Sequence, residues 1–314
     1  DYSKAIELDP EYAKAYCARG LAYSQKGEYN KAIVEYTNAI QLDPEYSQAY
    51  YGRGYAWWYE SRYDAAIADY SKTIELDPEH VKAYYSRGLA YERKGECDKA
   101  IVEYTKAIQL DPEYAKAYTT RGFTYERKGQ YDAAVADFSK VIELDPEKAE
   151  SYYNRGNVYL KKGEYDAALA DYSKAIELRP EHARAYNNKG RALREEGEFA
   201  RAVECHNQAI EIAPHRTHFV VSKGFTLEKW GKEAEATKTY LEALDVDAEE
   251  YDGKKKARVF YGQALAYGRL GDKENCLKAL KISIELLPDQ KDEAKTEELL
   301  QEYWDDAYFK AIVK

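Results

Sequence analysis

The chain has 314 residues, 47 Lys and Arg against 57 Asp and Glu, a net charge of −10, and 45% hydrophobic and 33% charged residues. That balance suits a folded helical protein rather than a disordered one. It also argues against duplex nucleic acid as the main ligand, because such binding depends on neutralising phosphates. Four cysteines, Cys17, Cys97, Cys205 and Cys276, form no CxxC pair, so neither a disulfide framework nor a zinc ribbon is expected. No apolar run approaches the ~20 residues needed to cross a bilayer, and the expected compartment is cytoplasmic.

In chain order the dominant signal is a repeat. Pro10, Pro44, Pro78, Pro112, Pro146, Pro180 and Pro214 are each 34 residues apart. A fixed period in this range marks a solenoid. Asp1–Leu8 reads as the second helix of a repeat whose first helix is missing, with Tyr2, Ala5 and Ile6 left uncovered. The chain is therefore expected to be a piece of something longer, able to self-associate through this uncapped helix.

Ala13–Tyr46 is the first full unit, and counting slots from Ala13 gives a common register. Slots four, eight and eleven (Tyr16, Gly20, Tyr23) share one face of a first helix. Slots twenty, twenty-four, twenty-seven and twenty-eight (Ala32, Tyr36, Ala39, Ile40) form the matching stripe of a second. Gly27 fits the left-handed residue that ends a helix. Asp43 and Pro44 read as an N-cap and first position that restart the helix. Each unit is thus a helical hairpin whose faces are covered only when the next unit stacks on it.

The pattern Tyr16, Gly20, Tyr23, Ala32, Tyr36, Ala39, Pro44 resembles the tetratricopeptide repeat (TPR), with Tyr for its usual Trp and Phe. It recurs in 47–80, 81–114, 115–148, 149–182 and 183–216, giving six regular repeats over 13–216. Two divergent repeats follow over 217–290, the second after an insertion at 251–256, and 291–314 is expected to be a C-terminal capping helix using Leu299, Leu300, Tyr303 and Trp304. The resemblance implies an all-α, right-handed superhelical solenoid of helix-turn-helix repeats with a concave groove.

Two slots change together along the chain. Slot seven is Arg in the first five units (Arg19, Arg53, Arg87, Arg121, Arg155), and slot twenty-three is acidic in the same five (Glu35, Asp69, Glu103, Asp137, Asp171). Where slot seven becomes Lys189, Lys223 and Gln263, slot twenty-three becomes Cys205, Thr239 and Ala279. A partly buried ion pair, within a hairpin or between neighbours, is expected.

No catalytic set appears, and no phosphate-cradling glycine loop, because the glycines recur in hairpin slots. The chain is read as a non-enzyme without cofactors. Cys205, His206, His215 and His218 lie near one another in sequence, but His206 occupies the slot of Tyr36 and Tyr104 and reads as a core substitute rather than a metal ligand.

By the resemblance, slots two, five, six, nine, twelve and thirteen of the first helix line the groove. Its earlier half then offers Tyr51, Tyr55, Trp58, Tyr59, Tyr85, Leu89 and Phe123, suited to anchoring a peptide side chain. Its later half offers Asn154, Asn157, Asn187, Asn188, Arg191 and Arg194, whose amides can bond a peptide backbone. Slot six (Ser86, Thr120, Asn154, Asn188, Ser222) is similar to a shortened form of the asparagine ladder some members carry. The carboxylate clamp of chaperone-binding members fits poorly, since its best window, Tyr153, Asn157, Asn188, His218 and Ser222, lacks the cations. The expected function is a scaffold that binds a peptide segment of a partner protein. The alternatives are a non-catalytic adaptor segment of a larger enzyme and a self-assembling structural module.

Overall fold

The computed structural model describes residues 2–303 and 305–314, apart from the side chains of Thr296, Glu298 and Leu299. The described residues are helices and turns, without a strand. They form two compact units, Asp1–Pro146 and Glu147–Lys314.

The first unit opens with α1 (Tyr2–Leu8) and continues with four hairpins. These are α2 (Ala13–Gln25) with α3 (Tyr29–Leu42), α4 (Ser47–Tyr59) with α5 (Tyr63–Leu76), α6 (Val81–Arg93) with α7 (Cys97–Leu110), and α8 (Ala115–Arg127) with α9 (Tyr131–Leu144). The second unit holds α10 (Ala149–Lys162) with α11 (Tyr165–Leu178), α12 (Ala183–Glu195) with α13 (Phe199–Ile212), and α14 (His218–Lys229) with α15 (Glu233–Leu244). A 3-10 turn then leads to α16 (Gly253–Arg269) with α17 (Lys273–Leu286), followed by α18 (Gln290–Thr296), a second 3-10 turn and α19 (Ala307–Ile312). Within each unit a second helix packs on its own first helix and on the first helix of the next hairpin.

Small residues let the helices approach and rings fill what remains. Ala32, Ala66, Ala100, Ala134, Ala168 and Ala202, all at slot twenty, are completely buried. The slot-twenty-four ring lies against the slot-eight glycine: a methyl added at Gly88 would sit 2.5 Å from Tyr104, itself fully buried. Burial of each such ring contributes roughly 2–3 kcal/mol before entropy is counted. The hairpin turn needs one left-handed residue, supplied by Gly27 at φ 76° and its equivalents. In the second hairpin that position is Ser61, at φ 57° the only non-glycine with positive φ among the described residues.

The ion pairs of slots seven and twenty-three lie within the hairpins. Arg53, Arg121 and Arg155 grip Asp69, Asp137 and Asp171 through both Nε and a terminal nitrogen, at 2.6–2.8 Å. The two Glu partners are held differently. Arg19 and Arg87 reach Glu35 and Glu103 only through a terminal nitrogen at 2.8–2.9 Å, and their Nε groups are buried without a partner. The longer side chain overshoots the fork that Asp fits. The other terminal nitrogen donates to a hydroxyl of the preceding repeat: Arg19 to Ser3, Arg53 to Thr37, Arg87 to Ser71 and Arg121 to Thr105, at 2.7–3.1 Å. One guanidinium thus ties a hairpin to itself and to its neighbour.

Two features differ from the sequence reading, at Asp43 and at the C-terminal segment. Asp43 does not cap α4. It ends α3 in extended geometry, and its carboxylate accepts from the Glu45 amide at 3.0 Å, closing an Asp-Pro turn before α4 begins at Ser47. Part of the insertion at 251–256 is helical: α16 starts at Gly253 and so gains a turn. Residues 291–314 form separate short helices instead of one. The Asp306 carboxylate accepts from the Tyr308 and Phe309 amides at 2.8 and 2.9 Å and starts α19 afresh, turning Phe309 and Val313 into the core already occupied by Leu277, Leu280, Leu300 and Tyr303. Trp304 and the Leu299 side chain lie outside the described residues. None of α1 is buried, and Tyr2 and Leu8 are 49% and 76% exposed.

Ser61→Gly is expected to stabilise the chain by about 1 kcal/mol, since a Cβ in the left-handed region is strained. Thermal unfolding followed by circular dichroism checks this, and an unchanged or lower Tm would contradict it.

Candidate functional site

Within each unit, first helices of successive hairpins lie side by side, α2 with α4 and α4 with α6 in the first, α10, α12, α14 and α16 in the second. The sequence-nominated residues fall on these helices, and the structure divides them by what they already contact.

In the first unit, Tyr51 and Tyr85 stitch neighbouring first helices together. Their hydroxyls lie 3.4 Å from Ser86 Oγ and 3.1 Å from Thr120 Oγ1, slot five of one repeat meeting slot six of the next. Their rings pack on inner ones, Tyr51 against Tyr70 and His80, Tyr85 against Tyr104 and Tyr114. Tyr55 and Tyr59 pair through their hydroxyls at 3.2 Å, and Tyr59 stacks on Tyr29 with centroids 4.5 Å apart. Trp58 packs edge-on to Tyr59 beneath the Arg93 guanidinium. Leu89 is half-buried, and Phe123, 40% exposed, leans on Phe138. Much of the aromatic set therefore packs on itself.

A cavity of about 520 Å³ remains between α2 and α4. Tyr51 and Tyr55 line it, with Cys17, Leu21 and Tyr46, which sequence reasoning did not nominate. Leu21 sits at slot nine, the slot that flagged Tyr55, Leu89 and Phe123, so the signal was present in the first repeat. Its side chain is 53% exposed, an aliphatic surface at the cavity mouth.

In the second unit the amides bond one another. The Asn188 amide donates to Asn157 Oδ1 at 2.9 Å and to the Tyr153 hydroxyl at 3.3 Å. Asn187 is buried: its amide donates to Asn188 Oδ1, and its own oxygen lies 3.1 Å from His206 Nδ1. Asn154 is half-buried. Arg194 is only 8% exposed, bonded to Glu195 and lying over the Phe225 ring. Among the nominated groups only Arg191 is a cation that makes no ion pair among the described residues.

Asn187, Asn188, Arg191 and Arg194 line a second cavity, of about 580 Å³. Asn154 and Asn157 do not. The wall also carries Arg216, the last residue of the sixth regular repeat, Lys254 of the insertion, and Arg258, Tyr261, Asp289, Glu293 and Glu297 after it, none of them nominated from the sequence. The Thr217 hydroxyl donates to the Val259 carbonyl at 2.8 Å, docking the start of α14 on α16 and bringing Arg216 and Arg258 to the same wall.

His206 is a core residue. It is wholly buried between Asn187 and Thr226, 3.1 and 3.0 Å away, beneath Gly190 where other repeats place an aromatic ring. Burial, with the nearby cations Arg194 and Arg191, lowers its pKa to about 3. Among the described residues no three His, Cys, Asp or Glu side chains converge as a metal site would require.

The repeat profile described as tetratricopeptide repeat matches residues 149–182 and 183–216, and the profile described as TPR repeat matches 1–27, 20–58, 59–95, 93–129 and 125–163. The chain belongs to the tetratricopeptide repeat family. Its repeats make this TPR chain a protein-interaction scaffold. Similar solved structures include YrrB, described as a TPR protein with an unusual peptide-binding site, at 28% identity and TM-score 0.52, covering 60% of this chain and 97% of YrrB. MamA is 28% identical at TM-score 0.52, covering 56% of this chain and 96% of MamA. A TPR protein from Parabacteroides merdae, 17% identical, covers 85% of this chain and 99% of its own at TM-score 0.61, a likeness of fold alone. No curated protein matches the TPR chain. No helix among the described residues is long and apolar enough to cross a membrane.

His206 gives the second unit an acid sensitivity. Its lowered folded-state pKa means that the stability it confers is complete above the unfolded value near 6.5 and is lost as pH falls toward about 3. His206→Tyr, which restores the ring used at this slot elsewhere, is expected to lessen the fall of Tm between pH 7 and pH 4, the remainder belonging to His218, whose pKa burial likewise lowers to about 3. Parallel melting curves for the two proteins would contradict this.

Proposed function

We propose that this scaffold binds a peptide segment of a partner protein along its first-helix faces, without catalysis of its own. The observation that carries the reading is the cavity of about 520 Å³ between α2 and α4, lined mainly by apolar and aromatic side chains. An aromatic or aliphatic peptide side chain can enter it, and such anchors supply most of the affinity in small interfaces. Leu21 and Tyr55 are the contact residues of choice, 53% and 39% exposed, whereas Tyr51 and Tyr85 hold the helices together. That YrrB is described as having a peptide-binding site supports the same class of ligand.

Selection from a random peptide library on the immobilised chain tests this. Enriched peptides are expected to share an apolar anchor, and Leu21→Asp with Tyr55→Ser is expected to weaken them at least ~10-fold with the circular dichroism spectrum unchanged. A library that yields no binder, or binders indifferent to the double variant, would overturn the reading.

Self-association is the second reading, favoured by α1, where Leu8 is 76% exposed. Light scattering that rises with concentration, and is abolished by Leu8→Lys, would support it.

A further inference from the structure

The cavity in the second unit differs in kind from that in the first. Seven of its lining residues are Lys or Arg, and three are Asp or Glu, in a chain whose net charge is −10. By contrast, the slot-seven arginines of the first five repeats are each paired with a carboxylate. Arg191, Arg216 and Arg258 make no ion pair among the described residues.

Arg216 is half-buried over the Phe219 ring, and burial together with Arg258 and Arg184 lowers its pKa to about 10. Crowded guanidinium groups are unfavourable where cations outnumber acids, as on this wall despite Asp289, Glu293 and Glu297, and an oxyanion between them relieves the repulsion. A separate observation points the same way. Tyr261 lines this cavity with only 3% of its surface exposed, and its hydroxyl has no hydrogen-bond partner among the described residues. A buried phenol without an acceptor is uncommon. His218, also on the wall, has a buried Nδ1 without a partner. The apolar residues Phe219, Phe225 and Leu265 reduce the local dielectric and strengthen any charge-assisted bond.

We infer that this cavity is an oxyanion site, in which Arg191, Arg216 and Arg258 grip a carboxylate or phosphate group on a bound peptide while the Tyr261 hydroxyl donates to it. The inference rests on the peptide-scaffold reading but uses a different unit and a different chemistry. It is also distinct from the clamp window weighed from the sequence, since Arg216, Arg258 and Tyr261 belong to none of its positions and the last two lie beyond the profile matches, which end at residue 216. Three guanidinium forks suit a phosphate monoester, which offers three acceptor oxygens. They also suit closely spaced carboxylates, and Asp289, Glu293 and Glu297 of the chain itself line the same cavity.

Fluorescence anisotropy with three labelled hexapeptides tests the site on the full chain: hexaglutamate, a neutral peptide carrying one phosphoserine, and the same peptide with plain serine. At low salt one or both anionic probes are expected to bind and the plain peptide not. Arg216→Gln with Arg258→Gln is expected to reduce that binding at least ~10-fold, and Tyr261→Phe to reduce it by a smaller factor. Leu21→Asp with Tyr55→Ser should leave it unaltered. The glutamine variant is expected to melt no lower than the parent, because it removes like charges, so lost binding cannot be assigned to unfolding. The tighter of the two anionic probes identifies the oxyanion. Failure of both to bind, or equal binding to the glutamine variant, overturns the oxyanion site; binding of library-selected apolar peptides would then still stand or fall on its own.

Discussion

The organising contact of this chain is an arginine at slot seven that reaches two ways. One edge of the guanidinium closes on an acid sixteen residues later in the same hairpin; the remaining nitrogen donates to a Ser or Thr sixteen residues earlier, on the second helix of the preceding repeat. The acids are 6–12% exposed at their side chains, so the charges are largely withdrawn from water. Such a pair adds little net stability over a well-packed apolar equivalent, but leaving either partner alone is costly. Its effect is therefore on register: a hairpin that slipped by one residue would bury an unpaired charge. Packing of the slot-twenty alanines and slot-eight glycines against rings supplies the attraction, and the arginine specifies where it acts.

Function follows from where this contact stops. In the first five repeats the slot-seven arginines are matched by acids, polar side chains of successive first helices bond each other, and an apolar cleft remains between α2 and α4. From slot seven of the sixth repeat onward the pairing ends. Gln263 turns to the carbonyls of Leu244 and Val246 instead, at 3.3 and 2.9 Å, and unpaired arginines gather on one wall of a cavity. The two units thus present different chemistry on a common repeat.

How much of this was legible follows from period. The hairpins, the left-handed glycines and the Arg–acid pairs recur every 34 residues, so copies within one chain act as their own comparison. The hydroxyl partner of slot seven recurs as well, at Thr37, Ser71 and Thr105, but a Ser or Thr on a helix surface looks like ordinary solvation until coordinates place it. Asp43–Pro44 was misread because Asp before Pro fits both an N-cap and the turn that ends the previous helix. The amides at Asn187 and Asn188 looked available because one helix alone does not reveal that the preceding repeat offers Asn157 and Tyr153 to Asn188, or that His206 of the same hairpin meets Asn187. Arg258 and Tyr261 occupy groove slots two and five of the repeat that begins at Ala257 and could have been nominated there, whereas Arg216, at slot thirty-four of the sixth repeat, is brought beside them by the Thr217 hydroxyl on a backbone carbonyl.

A double-mutant cycle on Arg121 and Asp137 tests the central claim most directly. Chemical unfolding of Arg121→Leu, Asp137→Leu and the pair would be compared with the parent. Each single change is expected to cost about 3 kcal/mol, and the double change less than either single one. Costs that simply add would contradict the account and reduce the arginines to surface groups lying over tyrosines.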